Sequence, residues 1–312
     1  MALFLPVRTA AKGDYLVGIH KSSAFSYTIV ENIDAANAFD DAVKGGDFDG
    51  ITHIASPLRR VSDPNDLIGP SVAGTKNVLN AALKFGPNIK RVVVTSSSVA
   101  MLEPHSTPYT YTESDWNDAS IRAVEEKGAK ASLPEIFFAS KTLSERAAWT
   151  FVEEHKGELT FDIVAICPPW MFGPIIHDAP SIDTLNFSHG FFRRILKANE
   201  SSLLPEATGS TEYLSDVRDV AVAHARAFTV EEAGGKRFLA AGAAWTHQDV
   251  YDILNEAGIQ GIPKGHPGSQ SSEFNVQDNA QSVRVLGMKC NGLKDIVLST
   301  HETLKEHFPS EF

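Results

Sequence analysis

Apolar residues along this chain recur now at every second position and now at helical spacing, and that alternation constrains the fold more than any other feature. Strands that alternate with helices are joined by crossovers into a parallel sheet with helices on its faces. Ser26 to Val30 reads as a strand, Ala35 to Lys44 as a short amphipathic helix stopped by Gly45-Gly46, and Ile51 to Ala55 as the next strand. Pro70 then opens a helix whose Val72, Thr75, Leu79 and Ala82 share one face, and Gly86-Pro87 ends it. Arg91 to Thr95 follows, apolar enough for a strand buried on both faces. Ser132-Leu-Pro-Glu135 is a capping box that opens a helix running to Gly157, and Phe161 to Ile166 is the strand after it. The spacing predicts an α/β, doubly wound parallel sheet.

Beyond residue 170 the alternation loosens as Gly, Pro and Asn recur. A helix over Asp216 to Thr229, a short strand at Arg237 to Ala241, a helix over Thr246 to Ala257, a loop from Gly258 to Ser272 and a closing helix near Leu293 to His307 are expected. At 312 residues there is room for a large domain and a smaller lobe.

Charge and composition exclude several classes. The 28 basic against 39 acidic residues give −11, which repels phosphate backbones, so nucleic acid is not an expected partner. No apolar run approaches the roughly 18 residues of a membrane span, so no membrane partner is expected. Cys167 and Cys290 are too few for a disulfide framework, and the apolar opening ends at Arg8, too short for a signal-peptide core. A reduced, cytoplasmic protein is expected. The 11 His are scattered and no ligand spacing appears, so no metal is expected.

Sheets of this kind bind ligands at the carboxyl ends of their strands. Those junctions carry Ala55-Ser56-Pro57, Thr95-Ser96-Ser97 and Cys167-Pro168-Pro169-Trp170, and the helix from Ser132 carries Ala139-Ser140-Lys141-Thr142-Leu143-Ser144-Glu145. With Pro70 to Ala82, Glu113-Ser-Asp-Trp116-Asn117, Gly173-Pro174 and Tyr213-Leu-Ser-Asp-Val-Arg-Asp-Val-Ala, these segments stand in one order. That order resembles the extended short-chain dehydrogenase/reductases, in the branch of dihydroflavonol, cinnamoyl-CoA and fungal methylglyoxal-type aldehyde reductases.

The resemblance covers nearly the whole chain from Arg8 and implies a Rossmann-like domain over 1–170 and 212–243, with a substrate lobe over 171–211 and 244–312. It implies NADP as cofactor and reduction of a small aldehyde or ketone, hydride going to the carbonyl carbon while a Tyr protonates the oxygen. Ser97 matches the serine that hydrogen-bonds the substrate carbonyl, and Lys141 the lysine that lowers the phenol's pKa and holds the nicotinamide ribose. Arg8 and Lys12 match basic residues facing the adenosine 2′-phosphate, where a guanidinium suits phosphate well. Asn32 stands near the adenine, Ala55, Ser56 and Pro168 line the nicotinamide edge, and Trp170, Phe172, Phe191 and Phe192 form the substrate pocket wall.

The chain departs from that pattern twice. The position four before Lys141 is Phe137, not Tyr. Tyr109 and Tyr111 lie on the intervening loop and read as packing residues. The family's glycine-rich turn, whose bare backbone admits a pyrophosphate at a helix N-terminus, has no counterpart here. Ala2 to Val7 looks like the end of the family's second strand, so a first strand-turn-helix of on the order of 30 residues is missing from the pattern. Gly258 and Gly261 read as loop punctuation. A degenerate active site with weakened reduction is therefore expected. The alternatives are a non-catalytic relative serving as a ligand- or partner-binding scaffold and a non-redox enzyme reusing the pocket. Ala2 to Val7 is expected to form a strand beside Ile51 to Ala55 or next to Ser26 to Val30.

Overall fold

The computed structural model describes residues 2–312. Strand β1 (Leu3–Val7) passes through Arg8 to Thr9, whose hydroxyl accepts from the Lys12 N–H and caps helix α1 (Ala10–His20). Strand β2 (Phe25–Ile29) pairs parallel with β1, so the expected strand forms, beside the second of its two candidate neighbours. Gly13 lets α1 approach β2, since a Cβ there would lie 2.5 Å from the Tyr27 ring. Helix α2 (Asp40–Lys44) is shorter than its apolar pattern predicts. Asn37 takes a left-handed φ of 61°, and Asn77 Nδ2 donates to the Ile33 and Ala35 carbonyls. Those carbonyls belong to turns rather than to a helix.

Strand β3 (Gly50–His53) ends two residues before its predicted end. Helix α3 (Asn65–Phe85) begins before Pro70 instead of at it. A proline inside a helix leaves the carbonyl four residues back without its donor. Here that carbonyl, on Asp66, accepts from Arg59 Nη2 at 2.8 Å. Strand β4 (Arg91–Thr95) follows with Val92 and Val93 fully buried. The two-residue strand β5 (Thr110–Tyr111) precedes α4 (Asp118–Lys127) and α5 (Leu133–Glu154). The Ser132 and Glu135 capping box of α5 is present in full. Strand β6 (Asp162–Cys167) completes a parallel run with β3 and β4.

The next segments are β7 (Trp170–Phe172), α6 (Phe187–Leu196), α7 (Pro205–Gly209), β8 (Glu212–Asp216) and α8 (Val217–Thr229). They are followed by β9 (Arg237–Leu239), β10 (Ala243–Trp245), α9 (His247–Glu256), β11 (Val276–Gln277), α10 (Ala280–Leu286) and α11 (Leu293–His307).

The chain divides into two compact units. One holds a four-stranded sheet of order β3-β4-β6-β9 and the separate pair β1-β2. Among the described residues no strand occupies the other edge of β1 or of β3. Its core joins Leu79, Ala82, Val92, Val94, Ala148 and Phe151 from α3, β4 and α5. The second unit consists of His105–Thr112, Pro168–Ala225 and Leu239–Phe312. In it β8 pairs antiparallel with β10 and parallel with β7, while β5 pairs with β11.

That pairing moves the expected boundary. Residues 212–225 go with the second unit because both ladder partners of β8 lie there, and only Arg226–Phe238 of the expected return segment joins the first. Residues 105–112 move with β5 for the same reason. Among the described residues no helix is long and apolar enough to cross a membrane.

Candidate active site

The first unit gathers its candidate groups where the parallel strands end. The ladder between β4 and β6 runs one residue past β4, the Ser96 N–H donating to the Ile166 carbonyl at 2.8 Å. Ser97 then turns the chain, its hydroxyl accepting from the Val99 N–H at 3.4 Å and capping a short 3-10 turn. Lys141, in the middle of α5, is 8% exposed, and its Nζ donates to the Thr95 carbonyl at 3.0 Å. Ser97 and Lys141, 44 positions apart in sequence (141 − 97), are thus both fixed to the carboxyl end of β4.

Lys141 lines a small polar cavity with His53, Ser56, Thr75, Ser96 and Glu145. Burial lowers the Lys141 pKa, and the negative charge of Glu145 opposes that shift. His53 is pushed down to about 4 by burial, with the Lys141 charge adding to the effect. Burial pushes the Cys167 thiol well up, so it stays protonated. Phe137 lies one turn before Lys141 on α5, half-buried, with its ring edge-on to Phe138 at 6.3 Å between centroids. No hydroxyl stands at that position.

The other candidates of this unit also follow strand ends. Arg8 and Lys12 are exposed at the β1–α1 junction, and the first turn of α1 has no acidic residue to compete with an anion. Asn32 is exposed just after β2, and Ala55 and Ser56 are exposed after β3. Arg8 and Lys12 thus put two exposed cations at one strand end, and Ser56 and Lys141 border one cavity at another. Gly258 and Gly261, with φ of 74° and 79°, serve turns after α9, and among the described residues no glycine-rich turn joins a strand to a helix.

Within the second unit Trp170 stands in a stack of rings, 5.6 Å from Phe187 and 4.3 Å from Phe191. Pro168 is buried. Phe172 was expected in the substrate pocket wall, yet it is wholly buried against Phe192 and Trp245 because β7 turns it into the core. It shapes that core and offers a ligand no face; Phe192 is likewise wholly buried. Tyr109 stacks on His105 at 3.8 Å and Tyr111 is buried in β5, so both serve packing in this unit. Among the described residues no cluster of His, Cys, Asp or Glu could hold a metal.

Sequence reasoning overlooked a buried cluster beneath the site. Glu145, 1% exposed, pairs with Arg237 Nε at 2.6 Å and accepts from Ser96 Oγ at 2.5 Å. Glu145 follows Lys141 by one helical turn, which could have marked it as a neighbour. Nothing in the sequence pairs it with Arg237, 92 positions on.

Known proteins resemble the chain along nearly its whole length. It is 33% identical over 290 residues to the NADPH-dependent methylglyoxal reductase GRE2 of Saccharomyces cerevisiae, covering 88% of this chain and 82% of that one. It is 32% identical over 303 residues to ketoreductase azaE of Aspergillus niger, covering 93% and 86%. The crystal structure of yeast methylglyoxal/isovaleraldehyde reductase Gre2 complexed with NADPH superposes with a TM-score of 0.88 at 29% identity, covering 99% of this chain and 92% of that one. Gre2 from Candida albicans superposes with a TM-score of 0.87 at 32% identity, covering 97% and 91%. The model of the NAD dependent epimerase/dehydratase family matches residues 9–241. By these matches, this chain belongs to the NAD dependent epimerase/dehydratase family.

Proposed function

We propose that this protein is an NADPH-dependent carbonyl reductase acting on small aldehydes and ketones, with Ser97 and Lys141 as its working residues. The observation that carries the proposal is Lys141, a buried ammonium bonded to Thr95 at the strand end that also presents Ser97. Relatives of similar length that reduce methylglyoxal with NADPH support the substrate class and the cofactor.

Bound NADPH supplies a hydride. The Ser97 hydroxyl donates to the substrate carbonyl oxygen and holds it as negative charge develops there. Lys141 donates to ribose hydroxyls and places a positive charge beside the same oxygen. Arg8 and Lys12 bind the adenosine phosphate and set the preference for NADPH over NADH.

Phe137 supplies shape without a proton, so the alkoxide left by hydride transfer takes its proton from water or from the Ser97 hydroxyl, which water then reprotonates. A positioned general acid contributes about 10²–10⁴-fold, so Phe137→Tyr should raise kcat by up to that range while the KM for NADPH stays near its original value. The experiment follows NADPH absorbance with methylglyoxal and with an aromatic ketone, for the natural chain and the variant. NADPH binding seen by fluorescence, with no turnover by either protein, would replace the reductase reading with a ligand-binding one.

A further inference from the structure

We propose that Glu145 is a positioning residue of this site, its buried carboxylate clamping Ser96 and with it the Thr95–Ser97 backbone that Lys141 and the substrate use. The proposal rests on the reductase reading above for its kinetic consequences, though not for its geometry.

Glu145 collects donors from four directions. Ser96 Oγ reaches Oε2 at 2.5 Å, Arg237 reaches Oε1 through Nε at 2.6 Å and Oε2 through Nη2 at 3.3 Å, Trp149 Nε1 reaches Oε1 at 3.2 Å, and Cys167 Sγ reaches Oε2 at 3.7 Å. Two of these donors stand at the ends of β4 and β6, one on β9, and one on α5 itself. Arg237 is anchored in turn. Its Nη1 donates to the Glu113 and Asp115 carbonyls at 2.7 Å each, and its guanidinium lies 3.7 Å from the centroid of the Trp116 ring. The guanidinium spends its directional donors on fixed backbone acceptors, so it can hold Glu145 in one orientation.

Ser96 is the point where this cluster meets the site. The residue before it carries the carbonyl that accepts from Lys141, and the residue after it carries the candidate substrate donor. A strand end held only by its ladder can pivot. Here the side chain between the two working groups is tied to a carboxylate that is itself immobilised. A buried carboxylate with only packing duties would be costly compared with an apolar residue of the same volume. Its position, one turn from Lys141 and one bond from Ser96, gives it a use.

Glu145 also sets the charge around Lys141. The charged or titratable groups facing Lys141 are Glu145 on α5, Cys167 at the end of β6 and His53 at the end of β3, with Arg237 of β9 behind Glu145. α3 contributes only the Thr75 hydroxyl to the cavity. Removing the Glu145 charge leaves burial less opposed, so Lys141 loses its proton at lower pH.

The test uses Ser96→Ala and Glu145→Gln in the full chain. Ser96→Ala keeps the Arg237 pair, and we expect kcat to fall by about 10- to 100-fold with the KM for NADPH little changed. Amide exchange at residues 95–97 should quicken in the same variant. Glu145→Gln should move the basic limb of the kcat profile to lower pH, a shift that Ser96→Ala does not produce and that Glu145→Asp restores. Carbon-13 reductive methylation, with the Lys141 signal assigned through Lys141→Arg, reads the same titration without turnover. Variants that fold with unaltered kcat, unaltered exchange and an unmoved Lys141 signal would overturn the positioning role. A natural chain without turnover whose Lys141 signal and amide exchange still respond to the two variants would refute the reductase reading and leave the clamp standing. If Glu145→Gln does not fold, Ser96→Ala decides through exchange and kcat.

Discussion

His53 shows what burial does to one side chain. It is 5% exposed at the end of β3, its Nε2 is 3.5 Å from the Thr75 hydroxyl, and Lys141 adds a positive charge nearby. Its folded pKa of about 4 lies below the ordinary value of 6.5. Between these two values the unfolded chain binds the proton and the folded chain does not, so stability falls as pH drops from 6.5 to about 4. The contribution is about 3 kcal/mol, present above 6.5 and lost toward 4. Denaturant unfolding at pH 7 and pH 4.5 should show a smaller difference for His53→Gln than for the natural chain, and equal differences would sink the argument. From sequence, His53 falls in the middle of the expected strand Ile51 to Ala55. Its burial against Lys141 could not be read there, because that depends on α5 crossing the ends of β3 and β4.

Helix α5 is the element most fully legible in the sequence. Ser132 and Glu135 form a local capping box, so the start of the helix is set by residues three apart and needs no distant partner. Ser132→Ala should cost about 1 kcal/mol, read as a lower midpoint in urea with an unchanged slope. A midpoint that does not move would mean the packed face of α5 alone sets its start. α2 and α3 were less legible because distant groups decide them. Asn77 fixes the carbonyls before α2, and Arg59 supplies the donor that allows α3 to run through Pro70. A local rule places the helix start at a proline, yet a side chain from the preceding loop makes an earlier start possible.

At the scale of the whole chain, Glu145 and Arg237 join segments that sequence order keeps far apart. Both are buried, at 1% and 8% exposure, so removing either leaves an uncompensated charge. Arg237→Met should destabilise the fold by about 3–5 kcal/mol, and Glu145→Leu similarly. The double variant should lose less than the sum of the two, since it buries no lone charge. A double-mutant cycle by urea denaturation checks this, and strict additivity would show that the two side chains act independently. The division into units has a similar origin. Residues 212–225 follow the ladder partners of β8 rather than the helical pattern around them.

The sequence by itself determined the alternation of strands and helices, the cap of α5, the strand Arg91–Thr95 and the closing helix Leu293–His307, because each is governed by residue periods and by neighbours within a turn or two. Through its ordered segments it also determined the family. Tertiary structure alone decided that Phe172 belongs to a core, that β1 and β2 pair apart from the other parallel strands, and that Arg237 meets Glu145. Burial, strand pairing and ion pairing join residues tens of positions apart, and no local period of the sequence records which distant residue will be the partner.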